Sequence, residues 1–357
     1  MHLCVLGAGG LGSIVGARLA EAGVTVSLVA RPAHVEAINR RGLEITGISG
    51  DRVVRGSLRA FERADEVPGD VDWLALLVKR RDTAAALAGA TALRPRIAGA
   101  FSLQNSTAKD DDLVRWLGAE RVIGASTTEA AVLVGPGAAH HTATAPVSAF
   151  YFGELGGQPS TRVTALVTQF GAAGFRAHET TVIHQVEWEK LLQISAVAGF
   201  SASTIGFHPG ASFAHGIAVR SGAEHYVQLV TELLAVYRAL GYEPQDFFAP
   251  FSAFRRAGSV SFEDAVQDTL ALGADMLARG IIGRPSLHED LVRRRPTELD
   301  DCLGAYLQAA ERLDVSTPTL TGAYRVIRTL ELLATARPEP DAPEPDEPVS
   351  DERVTRA

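Results

Sequence analysis

Lys190 is the residue whose type and position are best suited to chemistry in this sequence. It follows Glu187-Trp188-Glu189 and stands at the start of a long apolar helical stretch, where a first half of alternating strands and helices meets a second half with a helical pattern. A lysine ammonium can donate a proton and stabilise negative charge that develops on an oxygen. An ordinary lysine has a pKa of about 10.4, so burial against the apolar stretch would have to lower that value. The alternative is an exposed lysine that pairs with Glu187 on the same helix face.

The glycine-rich segment Gly7-Ala8-Gly9-Gly10-Leu11-Gly12 is the second chemical feature. It lies between a short apolar strand and an alanine-rich helical segment, which a second strand follows. Strand, G-x-G-x-x-G, helix and strand in about thirty residues are typical of a dinucleotide-binding Rossmann fold. Gly7 allows a tight turn, Gly9 lets the backbone approach a pyrophosphate, and Gly12 lets the helix pack on the strand. Free N–H groups at the helix N-terminus, at Gly10 and Leu11, would bind the phosphates. The alternative is a glycine turn without a ligand.

Two basic residues at strand ends indicate which dinucleotide is bound. An NAD enzyme places Asp or Glu after the second strand, where the carboxylate bonds the ribose 2′-hydroxyl. Here Arg31 follows Val29-Ala30, and its guanidinium can form a fork to a 2′-phosphate. Lys79 ends the next apolar strand and could reach the same phosphate. We therefore predict NADP(H) as the cofactor; the alternative is that both residues are ordinary solvated charges.

The remaining elements predict an α/β N-terminal Rossmann domain over residues 1–179 and an all-α domain over residues 180–335. In the first domain, alternating strands and helices predict a mostly parallel sheet covered by helices. Further strands, which would complete one mixed sheet, are predicted near residues 121–134, 139–144 and 147–152. Asn105 lies at a strand end, where ligands bind in such sheets, and is predicted to contact the nicotinamide or a substrate. The alternative is a turn-forming role for this residue.

After residue 175 the pattern is helical, and no internal repeat is visible. Helices are predicted over residues 181–203, 213–240, 244–257, 262–279, 286–295, 297–313 and 318–335. The last stretch, residues 336–357, is rich in Pro, Glu and Asp and is predicted to be disordered.

Composition and charge exclude several classes of protein. A net charge of -8 and a pI near 5.7 argue against a surface for nucleic acid or anionic membranes. Residues 191–219 contain no charged side chain other than histidine, but Gly206 and Pro209 interrupt the run, so we predict a buried helix and loop rather than a membrane span. Cys4 and Cys302 lie far apart and form no metal-ligand spacing, and Cys4 is predicted to be a buried free thiol. With no signal peptide visible, these features favour a cytoplasmic protein.

Motifs from both halves of the chain occur together in one known family. The glycine turn, Arg31, Lys79 and Asn105 form the first half, and Trp188-Glu189-Lys190, Pro285–Asp290 and Pro296–Asp300 form the second. The Thr317-Pro318-Thr319 turn before the last predicted helix looks similar too. This combination resembles the 2-dehydropantoate 2-reductase (ketopantoate reductase) family up to about residue 335. Its most specific part is the Trp-x-Lys motif together with the twelve-residue spacing from Ser286 to Glu298.

The resemblance implies an enzyme of pantothenate biosynthesis that reduces a 2-oxo acid to the 2-hydroxy acid with NADPH. It also implies an all-α second domain of the 6-phosphogluconate dehydrogenase C-terminal-like type, through which a homodimer could form. Lys190 would be the general acid that protonates the carbonyl oxygen, and Glu298 would tune or relay that proton. Ser286 would help to hold the substrate, and Asn105 would touch both substrate and cofactor.

Two positions depart from the family and concern the substrate. The residues four and eight positions after the lysine are typically asparagines that bond the substrate, and this spacing places them on the lysine's own helix face. Here they are Ile194 and Ala198, so we predict an apolar wall on the substrate side. Gln193 and Ser195 lie beside this face and could partly compensate. The substrate is then either 2-dehydropantoate or a bulkier, more apolar 2-oxo acid.

Several alternatives remain open at the level of sequence. The segment Ser286-Leu287-His288-Glu289 has the pattern of a capping box. The carboxylate of Glu298 would lie in the first turn of its predicted helix and would stabilise that helix by interacting with its dipole. The protein could also be a catalytically silent NADPH-binding protein that acts through a partner, or an opine-type dehydrogenase that joins an amino acid to a 2-oxo acid. His140-His141 lies on a strand pattern and is predicted to be a structural pair, and no metal is expected.

Overall fold

The computed structural model describes residues 1–142, 149–208, 210–249 and 252–336. Its strands are β1 (His2–Leu6), β2 (Thr25–Val29), β3 (Leu43–Gly47), β4 (Arg52–Val54), β5 (Leu58–Phe61), β6 (Val71–Leu76), β7 (Ile97–Ser102), β8 (Ile123–Thr127), β9 (Ala130–Gly135), β10 (Ala138–Thr142), β11 (Phe150–Glu154) and β12 (Ala177–Glu179). Its α-helices are α1 (Gly10–Glu21), α2 (Pro32–Arg41), α3 (Thr83–Gly89), α4 (Lys109–Leu117), α5 (Thr161–Ala172), α6 (Ile183–Thr204), α7 (Phe213–Ile217), α8 (Arg220–Ala239), α9 (Phe254–Ala257), α10 (Phe262–Ala278), α11 (Ser286–Val292), α12 (Ala305–Arg312) and α13 (Pro318–Thr335).

A parallel sheet of five strands, in the order β5-β2-β1-β6-β7, forms the centre of the N-terminal domain. The core residues of β1 are fully buried, which is expected of a short apolar strand that is covered on both faces. The register aligns the carboxyl ends, because Leu6 lies opposite both Val29 and Leu76, and Leu76 lies opposite Ser102. The residues that follow β1, β2, β6 and β7 therefore meet along one edge of the sheet.

The other strands form two separate sheets, so the prediction of one mixed sheet was wrong. A four-stranded sheet has the order β4-β3-β10-β9, and a three-stranded sheet has the order β12-β11-β8. The predicted strand over residues 121–134 breaks after Thr127, whose hydroxyl donates to Ala149 O (2.9 Å) and accepts from Glu129 N (3.0 Å). This turn lets the chain leave one sheet and enter the other. Residues 143–148, which two of the predicted strands include, lie outside the described residues.

The C-terminal domain is helical, as predicted, and the fold class is confirmed. Helix α6 has buried residues on every side, which is expected of a helix at the centre of a domain, and α8, α12 and α13 pack around it in one core. The predicted helix over residues 213–240 is two helices, because Val219 adopts an extended backbone (φ -102°, ψ 133°) between them. Most of the predicted helix over residues 244–257 is irregular, because the buried carboxylate of Glu189 binds the backbone N–H groups of Gln245 and Phe247 (both 2.8 Å).

Further differences from the predictions are whole elements that were not predicted and one helix that begins differently. Strands β3 to β5 and helix α2 were not predicted, and the segment predicted as helix over residues 297–313 begins with a π-helical turn over Asp300–Gly304. Cys4 and Cys302 are both buried free thiols. No helix within the described residues has the length and apolar character needed to cross a membrane. The tail over residues 337–357, predicted to be disordered, lies outside the described residues.

Candidate active site

The glycine turn after β1 leaves room for a ligand at one position only. Gly7 has a φ of 105°, and a Cβ there would lie 2.5 Å from Val78 N. A Cβ on Gly10 would lie 2.5 Å from Ala131 O, and one on Gly12 would lie 2.7 Å from Gly7 O, so both glycines are required by close packing. A Cβ on Gly9 meets no atom within 4 Å. The open side of the turn is therefore at Gly9, where α1 begins without a side-chain cap on its free N–H groups.

The two predicted phosphate-binding cations have different surroundings. Arg31 is exposed at the start of α2, and its side chain has no hydrogen-bond or ion-pair partner among the described residues. The Lys79 ammonium instead lies 3.2 Å from a carboxylate oxygen of Asp290 and 3.2 Å from one of Glu298, both in the C-terminal domain. Burial lowers the pKa of Lys79, but the two carboxylates outweigh it and raise the pKa above its ordinary value. In this arrangement Lys79 binds two carboxylates across the domain cleft.

Lys190 lies at the same cleft and is not an exposed lysine. Its side chain is half-buried, and its Nζ donates to Asn105 Oδ1 at 2.8 Å. Burial lowers the pKa of Lys190 to about 8, and the neighbouring ammonium of Lys109 lowers it further, whereas Glu298 and Glu187 act in the opposite direction. The alternative of an exposed lysine paired with Glu187 is wrong, because Glu187 is itself buried and binds another lysine.

That other lysine is Lys109, which stands at the start of α4 with 2% of its surface exposed. Its Nζ donates to Asp110 Oδ1 (2.9 Å) and to Glu187 Oε1. Burial and the nearby Glu187 raise the pKa of Asp110, and the Lys109 ammonium acts in the opposite direction. Burial raises the pKa of Glu187, but the Lys109 ammonium outweighs it and lowers the pKa. His184, half-exposed, lies 3.6 Å from the other oxygen of Glu187.

A small pocket with a volume of about 10 Å³ lies between Lys190, Lys109 and their partners. Its walls are formed by Gln104, Asn105, Ser106, Lys109, Ser126, Glu187, Lys190, Leu191 and Ile194. A volume of this size admits about one water molecule.

The predicted substrate-side residues are only partly brought together. Ile194 lines the pocket, whereas Ala198 is 1% exposed and belongs to the core of the helical domain. Gln193 and Ser195, which could have replaced the missing asparagines, are not part of the pocket wall. The hydroxyl of Ser195 is buried without a hydrogen-bond partner within the described part of the chain.

Ser286 and Glu298 also differ from their predicted settings. Ser286 is exposed at the first position of α11, and the capping box is wrong because Pro285 occupies the cap position and no side chain caps the helix. Glu298 precedes the π-helical turn instead of lying inside a helix, and its carboxylate binds Lys79. Among the described residues, no direct hydrogen bond joins Glu298 to Lys190; its influence on that lysine is electrostatic.

The buried charges beside Lys190 were missed at the level of sequence. Lys109, Asp110 and Glu187 look like ordinary solvated residues, and the only signal is spacing: four residues from Asn105 to Lys109, and three from Glu187 to Lys190. Asp110, His184 and Glu187 have ligand-type atoms within 4.8 Å of one another, but the Lys109 ammonium already binds both carboxylates.

The two predicted structural histidines each bond a neighbouring side chain. His140 Nδ1 lies 2.8 Å from Thr46 Oγ1, and His141 Nε2 lies 2.6 Å from Glu129 Oε2. These contacts join neighbouring strands and segments of the N-terminal domain, in agreement with a structural role.

A glycine turn and Asn105 follow strands of one parallel sheet at the same edge, and Asn105 binds a lysine of a helical domain. This arrangement is that of a class of two-domain oxidoreductases. Comparison with known families narrows the class. The model for "Ketopantoate reductase PanE/ApbA" matches residues 3–157, and that for "Ketopantoate reductase PanE/ApbA C terminal" matches residues 182–331. The chain belongs to the ketopantoate reductase family and is an oxidoreductase of the 2-dehydropantoate 2-reductase kind. The resemblance seen in the sequence is thus confirmed.

Individual relatives agree with this assignment. The 2-dehydropantoate 2-reductase of Mesorhizobium japonicum is 26% identical, over 92% of this chain and 98% of its own. The crystal structure of a PanE/ApbA family ketopantoate reductase from Ralstonia eutropha has a TM-score of 0.74 and 25% identity, covering 94% of this chain and 100% of that one. A D-mandelate dehydrogenase, solved with NADH and anilino(oxo)acetate, has a TM-score of 0.76 over 94% of this chain and 100% of that one. At 19% identity, this similarity shows a shared fold alone.

Proposed function

We propose that this protein reduces a 2-oxo acid to the 2-hydroxy acid with NADPH, and that Lys190 is the general acid. The observation that carries the proposal is the placement of the Lys190 ammonium, 2.8 Å from Asn105 Oδ1 at the carboxyl edge of the parallel sheet. Ligands of such sheets bind at this edge. A pKa of about 8 keeps most of the lysine protonated at neutral pH while making the proton easier to release than that of an ordinary lysine.

The residues around the glycine turn fit a dinucleotide. The uncapped N–H groups at the start of α1 and the open space at Gly9 suit a pyrophosphate. The exposed guanidinium of Arg31, which has no partner within the described residues, suits a 2′-phosphate. When bound, the nicotinamide supplies a hydride to the substrate carbon. The D-mandelate dehydrogenase solved with NADH supports a nicotinamide cofactor in this fold, and Arg31 is our reason for choosing NADPH.

The residues of this chain supply the remaining part of the reaction. As hydride adds to the carbonyl carbon, negative charge develops on the carbonyl oxygen, and the Lys190 ammonium stabilises it and transfers its proton there. Asn105 accepts a hydrogen bond from Lys190 and so fixes the direction of the remaining two N–H bonds. Glu298 favours the protonated form of Lys190 from a distance and restrains Lys79.

The apolar side of the pocket favours a 2-oxo acid with an apolar substituent. Ile194 stands where an asparagine is typical, and the polar side chains of Gln193 and Ser195 do not replace it in the pocket wall. The D-mandelate dehydrogenase structure holds anilino(oxo)acetate, a 2-oxo acid derivative with an aromatic group. We therefore infer two candidates for the preferred substrate: 2-dehydropantoate, and an aromatic or branched 2-oxo acid.

Steady-state kinetics with purified protein tests the proposal. The substrates are 2-dehydropantoate, phenylglyoxylate and branched 2-oxo acids, each assayed with NADPH and with NADH. We expect turnover of at least one 2-oxo acid, a preference for NADPH, and a loss of about 10²–10⁴-fold in kcat for Lys190→Met, with NADPH binding retained. Absence of turnover with every 2-oxo acid would refute the proposal, and turnover only after an amino acid is added would support an opine-type reaction instead.

A further inference from the structure

Two neighbouring pairs of side chains connect α6 to the segment around the start of α4. Asn105 and Lys109 are four residues apart, and Lys190 and Glu187 are three residues apart on one helix face. Lys190 Nζ binds Asn105 Oδ1, and Lys109 Nζ binds Glu187 Oε1. All four side chains line the same 10 Å³ pocket. The second pair therefore adjoins the candidate acid directly.

The chemical identity of the second pair is unusual for this chain. Only three of its 34 basic residues are lysines, namely Lys79, Lys109 and Lys190; the rest are arginines. All three lysines lie at the cleft between the domains. A lysine ammonium is a compact charge, and it can sit beside a second ammonium in a small pocket, where a planar guanidinium with five donors would need more space and more acceptors. Lys109 is thus placed as a buried positive charge next to Lys190.

The net charge around Lys190 depends on this pair. The charged or titratable groups that act on Lys190 are Lys109 on α4, Glu187 on α6, Glu298 before the π-helical turn, and Cys302 within it. Cys302 is a buried thiol whose pKa is raised by burial, so it carries no charge at neutral pH. Glu298 is paired with Lys79, and Asp110 is a second carboxyl bound to Lys109, so Lys109 and Glu187 are the opposed charges in the wall of the pocket.

We propose that the buried Lys109–Glu187 ion pair is a positioning device that holds the Lys190 ammonium against Asn105 and controls how readily it releases its proton. The inference rests on the proposed role of Lys190 as the acid. Lys109 repels the proton of Lys190, Glu187 attracts it, and their mutual pairing balances the two effects. Removal of one partner should therefore move the titration of Lys190 in one direction, and removal of the other should move it in the opposite direction.

Lysine-selective NMR measures this effect without any turnover. With three lysines in the chain, protein labelled at lysine Cε gives three side-chain signals, and the signal of Lys190 is assigned by its loss in Lys190→Arg. In the unaltered protein we expect Lys190 to titrate near pH 8. Glu187→Gln, in which Lys109 keeps Asp110 as a partner, should lower the midpoint by roughly one pH unit, and Lys109→Met should raise it by roughly one to two units. In each variant, the pH above which kcat/KM for 2-oxo acid reduction falls should shift in the same direction as the midpoint of Lys190.

Two further variants control for general effects. Asp111→Asn alters an exposed carboxylate on α4 and should leave the midpoint of Lys190 unchanged. The double variant Lys109→Met with Glu187→Gln leaves no unpaired charge of this pair buried, so it should fold even where Lys109→Met alone does not, and its midpoint should return toward that of the unaltered protein.

Failure of the inference is separable from failure of the proposed function. If Lys190 titrates at the same pH in Glu187→Gln, in the double variant and in the unaltered protein, or if Glu187→Gln raises its midpoint, the inference is overturned whether or not the protein reduces 2-oxo acids. If the midpoints shift in opposite directions but no 2-oxo acid is reduced, the pair controls Lys190 and the proposed reaction is wrong.

Discussion

The state of the Lys190 ammonium gives the sharpest prediction, because it sets opposite pH dependences for the two directions of the proposed reaction. Reduction needs the protonated lysine. With a pKa of about 8, about 90% of the protein carries that proton at pH 7 and about 10% at pH 9. We therefore expect kcat/KM for 2-oxo acid reduction to be level below pH 8 and to fall about tenfold per pH unit above it.

Oxidation of the 2-hydroxy acid needs the neutral amine, which accepts the hydroxyl proton. The same titration must then appear with the opposite sign: kcat/KM for oxidation should rise about tenfold per pH unit up to pH 8 and level off above it. The assay follows NADPH absorbance in both directions across this pH range, in buffers of constant ionic strength. A rate for reduction that stays level to pH 10, or two limbs of the same sign, would show that Lys190 is not the acid.

Replacement of the lysine by arginine tests the same point by a second route. A guanidinium has a pKa above 12, so Lys190→Arg keeps the positive charge but cannot release the proton. We expect kcat to fall by about 10²–10⁴-fold, and we expect kcat/KM for reduction no longer to decrease above pH 8. Lys79→Arg is the matched control, because Lys79 lies at the same cleft and binds two carboxylates through its charge. In that variant, kcat/KM for reduction should still begin to fall at the same pH as in the unaltered protein.

The remaining predictions concern cofactor, backbone and substrate. Arg31→Ala should raise the KM for NADPH by about tenfold or more and leave that for NADH nearly unchanged, since one charge-assisted contact is worth about 1.5–3 kcal/mol. Gly9→Val should preserve the melting temperature and abolish dinucleotide binding, whereas Gly10→Ala, whose Cβ would clash with a backbone oxygen, should lower the free energy of unfolding by about 1–3 kcal/mol. Ile194→Asn should shift kcat/KM from apolar 2-oxo acids toward 2-dehydropantoate. Ala198→Asn, an amide placed in the helical core, should instead destabilise the protein by about 1–3 kcal/mol without improving that ratio. Equal effects of the two glycine substitutions, or of the two asparagine substitutions, would contradict the geometry described above.

Much of the fold could be predicted because it depends on local patterns. The strand before Gly7, the positive-φ turn and the helix that follows are encoded within about twenty consecutive residues. Helix α6 was also predicted closely, over residues 181–203 against the observed Ile183–Thr204, because a long apolar run without helix breakers has few other stable structures. The prediction failed where one residue ends an element, as at Thr127 and Val219, since a side chain or backbone angle there overrides the surrounding pattern.

The site was predictable in its parts but not in its pairings. Lys190 and Asn105 could be singled out one by one, one at the start of an apolar helix and the other at the end of a strand. That they bind each other across 85 residues of chain could not be read from either segment. Lys79 shows the same limit, because its two carboxylate partners lie 211 and 219 residues later in the chain, and its position at a strand end gave no sign of them.

By itself, the sequence determined the class of fold, the turn that would hold a dinucleotide, and the presence of one lysine at the junction of two domains. These features follow from periodicity, glycine spacing and apolar runs, which act over a few residues of backbone. Only the tertiary structure decided that the sheet is divided into three, that Ser286 faces solvent, and that Lys109 and Glu187 are buried beside Lys190. The physical reason is that a charged side chain has the same local signature in water and in a core, and only the packing of distant elements removes it from solvent and gives it a partner.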